Sequence, residues 1–523
     1  MESMESSCPL DTAIPESLCC LSTILERVES LSGGQHSLEL LPGEVEGPLS
    51  AARHQIESLL QKSGEYTEEE EDALDDGFFI CDLNVVYRKL QAWRRLFPRA
   101  KPFFAVKCNP DPMVSAVLGC ATSTTTGEEG SSRSHDGRFT VITAAGFDCA
   151  SIPEIELALL SSYAQRPPSS VIYANPQRAE KDLEKALAVH NVLVLTFDGA
   201  EELYKIHRSY TQIRDSREQE EQQLMDLPQP QLVLRILVPD EHSSVPLGEK
   251  FGVAPDQVAT LTQLSVDLKL PIIGVSFHCG SGNHDPESYR QAIQLAHEAL
   301  TEIDVIQMPH GIAPCWLLDI GGGYPGADGI GASEGRFCGS QQGELLDQIE
   351  AGGVNSEESA HNISKAVTPL LEDLCVNQND TLRVIAEPGR YFVEEAFCLC
   401  SRIFRVTIDR NKDTQEVIRA HYFLAFGVQG VFKDCLLCNE TFTPKPLRLN
   451  NEKKADDVPE EQTIPSTVHG PSGEEYDVIC PDMPLPLLDI GDYLVFDKMG
   501  AYTLSIAARS GKPTVRYVVG GLA

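Results

Sequence analysis

The sequence predicts an α/β protein: a (β/α)8 TIM barrel joined to a second, β-rich domain of sandwich or barrel-like form. Three observations predict it. Short β-rich runs alternate with helical segments from about residue 80 to 395. Motifs that carry chemistry fall at the C-terminal ends of those runs, where barrel active sites lie. Residues 396–523 are rich in strand-like runs, and 523 residues leave room for two domains plus insertions.

Along the chain, residues 1–45 are expected to be a disordered extension with one marginal amphipathic stretch of helical period, Leu18 to Leu31. Residues 46–82 are expected to join 396–523 in the β-rich domain, and 83–395 to form the barrel. Barrel strands are expected at Pro102 to Val106, Val171 to Ala174, Val192 to Phe197, Leu232 to Val238, Ile272 to Phe277, Trp316 to Ile320 and Leu382 to Ala386, with a helix at Glu287 to Glu302. Four polar stretches, Ser123 to Gly137, Asp215 to Gln231, Gly326 to Glu358 and Asn450 to Gly473, are too poor in apolar residues to bury a core and are expected to be surface insertions. The acidic runs Glu68 to Glu71 and Glu218 to Glu221 are expected to be solvated faces.

A formal charge of −36, from 78 acidic against 42 basic residues, argues against nucleic-acid or anionic-membrane binding. No apolar run reaches the roughly 18 residues a membrane span needs. Sixteen cysteines include Cys435-x-x-Cys438, Cys398-x-Cys400 and Cys19-Cys20, but nothing completes a metal site, so no metal is expected. With no signal peptide recognisable, reduced thiols in a cytoplasmic protein are the better account.

Lys107 ends the apolar run Phe103-Phe104-Ala105-Val106 and delivers one amine to the mouth of a pocket. Apolar flanks should desolvate it, lower its pKa and raise its nucleophilicity. That is the amine a Schiff base with pyridoxal phosphate requires. Leu317-Leu318-Asp319-Ile320 runs into Gly321-Gly322-Gly323, a turn whose N–H groups can approach a phosphate. Ile385-Ala386-Glu387-Pro388-Gly389-Arg390 presents a guanidinium suited to the phosphate and a carboxylate suited to the pyridinium nitrogen. Gly274 to Gly282 brings a ring at His278 that could stack on the cofactor and a hydroxyl at Ser281 that could bind phosphate. Each feature alone has a plain structural reading: a solvent-reaching lysine, a turn, a surface ion pair, a structural histidine.

Together they resemble the ornithine, diaminopimelate and arginine decarboxylases of the alanine-racemase-like class, most closely the eukaryotic ornithine decarboxylases. The resemblance covers roughly residues 78 to 520 and includes Gly146-Phe147-Asp148-Cys149-Ala150-Ser151 with Glu154, Tyr173-Ala174-Asn175-Pro176, Leu234-Arg235-Ile236, Lys250-Phe251-Gly252 and Gly500-Ala501-Tyr502-Thr503. It implies Lys107 as the Schiff-base lysine and His278 as the residue stacked on the pyridine. It further implies Ser281, Gly321 to Gly323, Gly389, Arg390 and Tyr502 around the phosphate, and Glu387 on the ring nitrogen. Asp148, Glu154 and Arg235 match the supporting charge network.

The substrate half departs from the family. Where relatives read Asn-Asp-Gly-Val-Tyr this chain has Ala425-Phe426-Gly427-Val428-Gln429. The aspartate that receives a distal amine falls on Asn439 in the simplest register, or on Glu440 with a one-residue gap. The family's Gly-Pro-(Ser/Thr)-Cys-Asp loop is Gly470-Pro471-Ser472-Gly473-Glu474, so the protonating cysteine is Gly473 and its aspartate Glu474. Protonation would then come from Lys107, water, Ser472 or Glu474; misdirected, it would release an aldehyde. The resemblance also implies a head-to-tail homodimer in which Asn439 and Gly473 complete the site around Lys107 of the partner. Three readings follow: a decarboxylase of ornithine or another basic amino acid giving putrescine or a related amine, a noncatalytic antizyme-inhibitor-like regulator, and a decarboxylation coupled to deamination.

Overall fold

The computed structural model describes residues 38–40, 47–61, 67–119, 122–125, 139–142, 145–161, 170–219, 227–248, 250–326, 356–378, 380–449, 463–507 and 513–519. Eight parallel strands close a barrel in chain order: Ala100–Ala105, Gly146–Cys149, Val171–Tyr173, Val194–Phe197, Gln231–Arg235, Ile272–Ser276, Leu317–Asp319 and Arg383–Ala386. Their near-continuous apolar character follows from burial on both faces. Phe103, Ile172, Val233, Ile273, Leu317 and Ile385 form one core cluster. Their alternate neighbours Phe104, Leu232, Leu234, Leu318 and Val384 belong to the larger cluster shared with the helices. A period of two therefore separates barrel interior from barrel wall.

The second sheet has nine strands and takes in both ends of the described chain. Gly77–Asp82 lies between Thr514–Val519, which it pairs in parallel, and Phe397–Arg410, which it pairs antiparallel. Leu38–Leu40 adds to the edge of Thr514–Val519, so that part of the expected disordered extension is a strand. The Leu18 to Leu31 stretch lies outside the described residues.

Residues 46–82 are less β-rich than expected. Gly47–Gln61 and Glu68–Asp75 are helices, and Ala51, Ala52, Ile56 and Leu59 pack on the sheet residues Phe78, Ile80, Cys398, Tyr493 and Val495. Thr67 and Glu70 cap the second helix reciprocally, which turns the acidic run Glu68 to Glu71 into a first helical turn where carboxylates are favoured.

The insertion boundaries are also corrected. Ile464–His469 is an interior sheet strand rather than inserted chain. The helix Ala200–Gln219 and the barrel strand beginning at Gln231 take both ends of the second stretch, and Ser356–Asn377 takes the end of the third. Thr122–Thr125 pairs with Phe139–Ile142 as a hairpin. The intervening 126–138, 220–226, 327–355 and 450–462 lie outside the described residues. The eleven cysteines described are free thiols.

The β-rich sheet clamps the barrel where Lys107 emerges. Tyr502 N–H donates to Cys108 O at 2.9 Å, Ser505 Oγ to the same oxygen at 3.3 Å, and Asn109 Nδ2 to Gly500 O at 2.8 Å. Tyr517 Oη donates at 2.6 Å to Asp111 Oδ2, whose other oxygen caps the helix Pro112–Gly119 through the N–H groups of Met113 and Val114. Tyr517→Phe removes this buried hydrogen bond to a carboxylate and is expected to cost about 1.5–3 kcal/mol, read as a lower denaturant midpoint at unchanged slope.

Candidate active site

The site sits at the C-terminal mouth of the barrel, as the placement of the motifs predicts. Lys107 lies just past the first strand, in the 3-10 turn Val106–Cys108 rather than on the strand itself. Its Nζ is 2.9 Å from Asp148 Oδ2, on the second strand. About a third of the Lys107 side chain stays exposed (35%), while the Asp148 side chain is fully enclosed (0%).

The expected lowering of the Lys107 pKa is corrected. Burial does push it down, as the apolar flank implies, but Asp148, then Glu387 and Tyr502, outweigh burial and hold the amine above its ordinary value. Lys107 is a paired ammonium here, one proton away from a nucleophile.

Three acids converge on that ammonium. Glu387, just past the eighth strand, is raised well above the usual carboxyl range by burial and by the neighbouring Asp148 and Asp319 carboxylates. Asp319, in the seventh strand, is raised chiefly by burial. Its Oδ1 accepts from Gly321 N–H at 2.9 Å, the Asp319 and Glu387 carboxyls share a hydrogen bond, and Asp148 Oδ1 is buried without a hydrogen-bond partner. Arg235, at the end of the fifth strand, is pulled down by burial against the upward pull of Glu387, Asp198, Asp148 and Asp319, and its guanidinium lies 4.8 Å from the Phe251 ring centroid. The Asp319 role went unassigned in the sequence, although an acid inside the apolar run Leu317 to Ile320 was a usable signal.

His278 is driven well below its ordinary value by burial and then by the charges of Arg235 and Lys107, so the ring is neutral. Gly280 N–H donates to Nδ1 at 3.0 Å, which leaves the ring proton on Nε2. A Cβ on Gly322 would stand 2.7 Å from that nitrogen and 2.8 Å from Glu387 O, and Gly321 and Gly323 have φ of +63° and +103°. Only glycine lets the turn, the imidazole and the Glu387 backbone close together. Ser281 pairs with Val245 in a small two-stranded antiparallel sheet, Ser243–Val245 with Ser281–Asn283, that the sequence does not announce.

Around the expected phosphate seat, Gly389 packs so closely that a Cβ would reach within 2.8 Å of Cys108 Cβ. Arg390 Nη1 lies 2.6 Å from Glu394 Oε1, and the Arg390 guanidinium stands 5.5 Å from the Tyr502 ring centroid. Glu154 is 2.7 Å from Ala150 N and 2.8 Å from Ser151 Oγ, so it braces the start of the helix Ile152–Ser161.

The substrate half divides in two. Asn439 is exposed, with φ +52° just after the short helix Asp434–Leu437, a conformation asparagine tolerates. Glu440 is half-buried; burial raises its pKa, Arg390 opposes, and Glu394 and Asp434 add to the rise. Within its own chain this loop lies near enough to Arg390 for that charge to act on Glu440. The other loop is separate. Ser472 donates its hydroxyl and N–H to Asp477 Oδ2 at 2.7 and 3.0 Å, Gly473 has φ +68°, and Gly473 and Glu474 are exposed. Among the described residues, no hydrogen bond or ion pair joins this loop to Lys107.

A parallel barrel with a lysine and a carboxylate cluster at its mouth, joined to a β-rich sheet, is the architecture of the pyridoxal-dependent decarboxylases. Residues 140–394 match the family described as pyridoxal-dependent decarboxylase, pyridoxal binding domain. Antizyme inhibitor 2 of Xenopus laevis is 32% identical over 443 residues, covering 83% of this chain and 78% of that protein. Ornithine decarboxylase of Schizosaccharomyces pombe is 29% identical, covering 84% and 82%. The arginine decarboxylase of Paramecium bursaria Chlorella virus superposes with a TM-score of 0.65 at 27% identity, over 89% of this chain and all (100%) of that one. The chain belongs to the ornithine/arginine decarboxylase family, among the pyridoxal-phosphate-dependent carboxy-lyases. Its residues fit that cofactor: an amine at Lys107, a glycine cradle that a single Cβ would fill, and a buried acid cluster in which Asp148 Oδ1 has no partner.

Proposed function

We propose that the chain decarboxylates a basic amino acid, ornithine or a close relative, to the corresponding amine. The ammonium of Lys107 held at 2.9 Å by Asp148, within the field of Glu387, carries this reading. Lys107 would attach the cofactor, Glu387 would meet the ring nitrogen and His278 would cover the ring face, while Ser281, the Gly321 to Gly323 N–H groups, Arg390 and Tyr502 would hold the phosphate. When bound, pyridoxal phosphate supplies the sink for the electron pair left as the α-carboxylate departs as CO2.

The chain's own residues govern the protons. Glu387, with its raised pKa, keeps a proton at the site and gains from a cationic hydrogen-bond partner there. The neutral His278 adds no charge to the ring face. Gly473 offers no proton and the Ser472 hydroxyl is committed to Asp477, so the Lys107 ammonium is the donor best placed to return one to the substrate carbon. Glu440 is the acidic candidate on this loop for the distal cation of the substrate, since the neighbouring Asn439 carries no charge. Glu440→Gln is expected to raise KM for the preferred amino acid about tenfold at nearly constant kcat, the signature of lost uniform binding. Asn439→Asp is expected to change KM less than about threefold. Steady-state kinetics on both variants checks this.

A head-to-tail homodimer would bring the exposed Ser472 to Glu474 loop to the partner's mouth; the separation of that loop from Lys107 within one chain supports this. Mixing Lys107→Ala protein with a disabled-loop variant and recovering activity would test it. The regulator reading is favoured by the likeness to an antizyme inhibitor.

The deciding experiment follows CO2 and identifies the product while ornithine, lysine and arginine are offered in turn to the cofactor-loaded protein. An amine with stoichiometric CO2 establishes the decarboxylase, and an aldehyde redirects it to coupled deamination. No CO2 from any of the three leaves the regulator.

A further inference from the structure

We infer that Glu394 is a built-in competitor for the cofactor's phosphate, holding Arg390 so that the phosphate contributes little to cofactor affinity. The inference rests on the reading of Arg390 as phosphate anchor. Glu394 follows Arg390 by one helical turn, and the 2.6 Å contact forms between side chains only 21% and 15% exposed. A guanidinium binds carboxylate and phosphate through the same planar pairs of N–H donors, so the two anions are chemical equivalents at Arg390.

The carboxylate is also held in place. A Cβ on Gly326 would stand 2.6 Å from Glu394 Oε2 and 2.4 Å from Arg390 O, so the segment leaving the glycine turn closes over the pair. The adjacent acid, Glu395, is engaged elsewhere: it meets Lys89 Nζ at 2.5 Å, and Lys89 also donates to Gly326 O at 3.1 Å. Of the two successive glutamates, Lys89 takes one and Arg390 the other. Glu440 is close enough for Arg390 and Glu394 both to act on it, adding a further carboxyl to the same corner. An incoming phosphate would meet an arginine already paired and a like charge beside it. Arginine has five N–H donors, so Glu394 weakens the seat without closing it.

Titration of the purified protein with pyridoxal phosphate and with pyridoxal, read by the Lys107-dependent absorbance, tests the inference without any turnover assay. The wild-type chain is expected to prefer the phosphorylated form by less than about tenfold. Glu394→Gln is expected to bind it at least about tenfold tighter while its pyridoxal affinity stays within about threefold, and Glu394→Asp, which keeps the charge, to stay weak. Inorganic phosphate should raise the melting temperature of Glu394→Gln and leave the wild type unmoved.

A wild-type preference of a hundredfold or more for the phosphorylated form, or a Glu394→Gln protein that binds it no tighter, overturns the inference. Measured CO2 release would leave the decarboxylase reading standing in that case. Tight cofactor binding by Glu394→Gln without CO2 from any amino acid has the opposite meaning: the competitor is real and the decarboxylase reading fails.

Discussion

Lys107→Ala is expected to abolish the cofactor-dependent visible absorbance and to lower decarboxylation at least about a thousandfold, which corresponds to roughly 4 kcal/mol of lost transition-state stabilisation. The size follows from position. Lys107 is the amine at the barrel mouth that bridges to Asp148, and the proposed function makes it the attachment point. The control is Lys107→Arg, which keeps a cation beside Asp148 but cannot serve as an amine nucleophile. Activity should fall as far as in the alanine variant, while thermal stability should stay closer to wild type, because the buried Asp148 carboxylate keeps a partner.

The pH behaviour has a definite sign. The folded-state pKa of Lys107 lies above its ordinary value of 10.5. Its ion-pair stabilisation is therefore fully present below that ordinary value and is lost only as pH rises through the higher folded one. Between pH 5 and 9, the stability gap between wild type and Lys107→Ala should not change through titration of the lysine. An alanine variant that retained CO2 release would overturn the assigned role outright.

The barrel and the cofactor side of the site were legible because each rests on local sequence. Apolar strands followed by punctuated turns mark where a barrel strand ends. Lys107, His278, the glycine triplet and Glu387 all stand within four residues of such an end. Non-local effects were not legible. The rise in the Lys107 pKa comes from Asp148, 41 residues away, and Glu387, nearly three hundred residues on, so the flanking phenylalanines gave the wrong sign. The placement of Glu440 beside Arg390 likewise depends on how the sheet folds back onto the barrel. The helices before Gly77 were not legible because they lie on a sheet whose other strands are mostly more than three hundred residues distant. Ile464–His469 was missed for a different reason: its Pro, Ser, Thr and His content resembles the polar chain before it.

Glu387→Ala is expected to lower kcat by about a hundredfold to a thousandfold, or roughly 3–4 kcal/mol, and yet to stabilise the cofactor-free protein at neutral pH. The two opposite signs come from one cause. Burial, then Asp148 and Asp319, make the ionised Glu387 carboxylate expensive. An acid whose folded pKa is raised destabilises the fold as pH climbs from its ordinary value, 4.5 here, towards the folded one, because the folded state holds the proton that the unfolded chain has released. The slope approaches about 1.4 kcal/mol per pH unit while one group is in that window. Wild-type protein without cofactor should accordingly lose melting temperature as pH rises from 5 towards 8, and Glu387→Gln should flatten that loss. Asp319→Asn should flatten it too, since burial also raises Asp319, but with a smaller fall in kcat because Asp319 Oδ1 is spent on Gly321 N–H. A residue whose removal improves stability while nearly abolishing turnover is retained for chemistry. A Glu387→Gln variant that melted lower at every pH and kept its kcat would show instead that the carboxyl braces the fold.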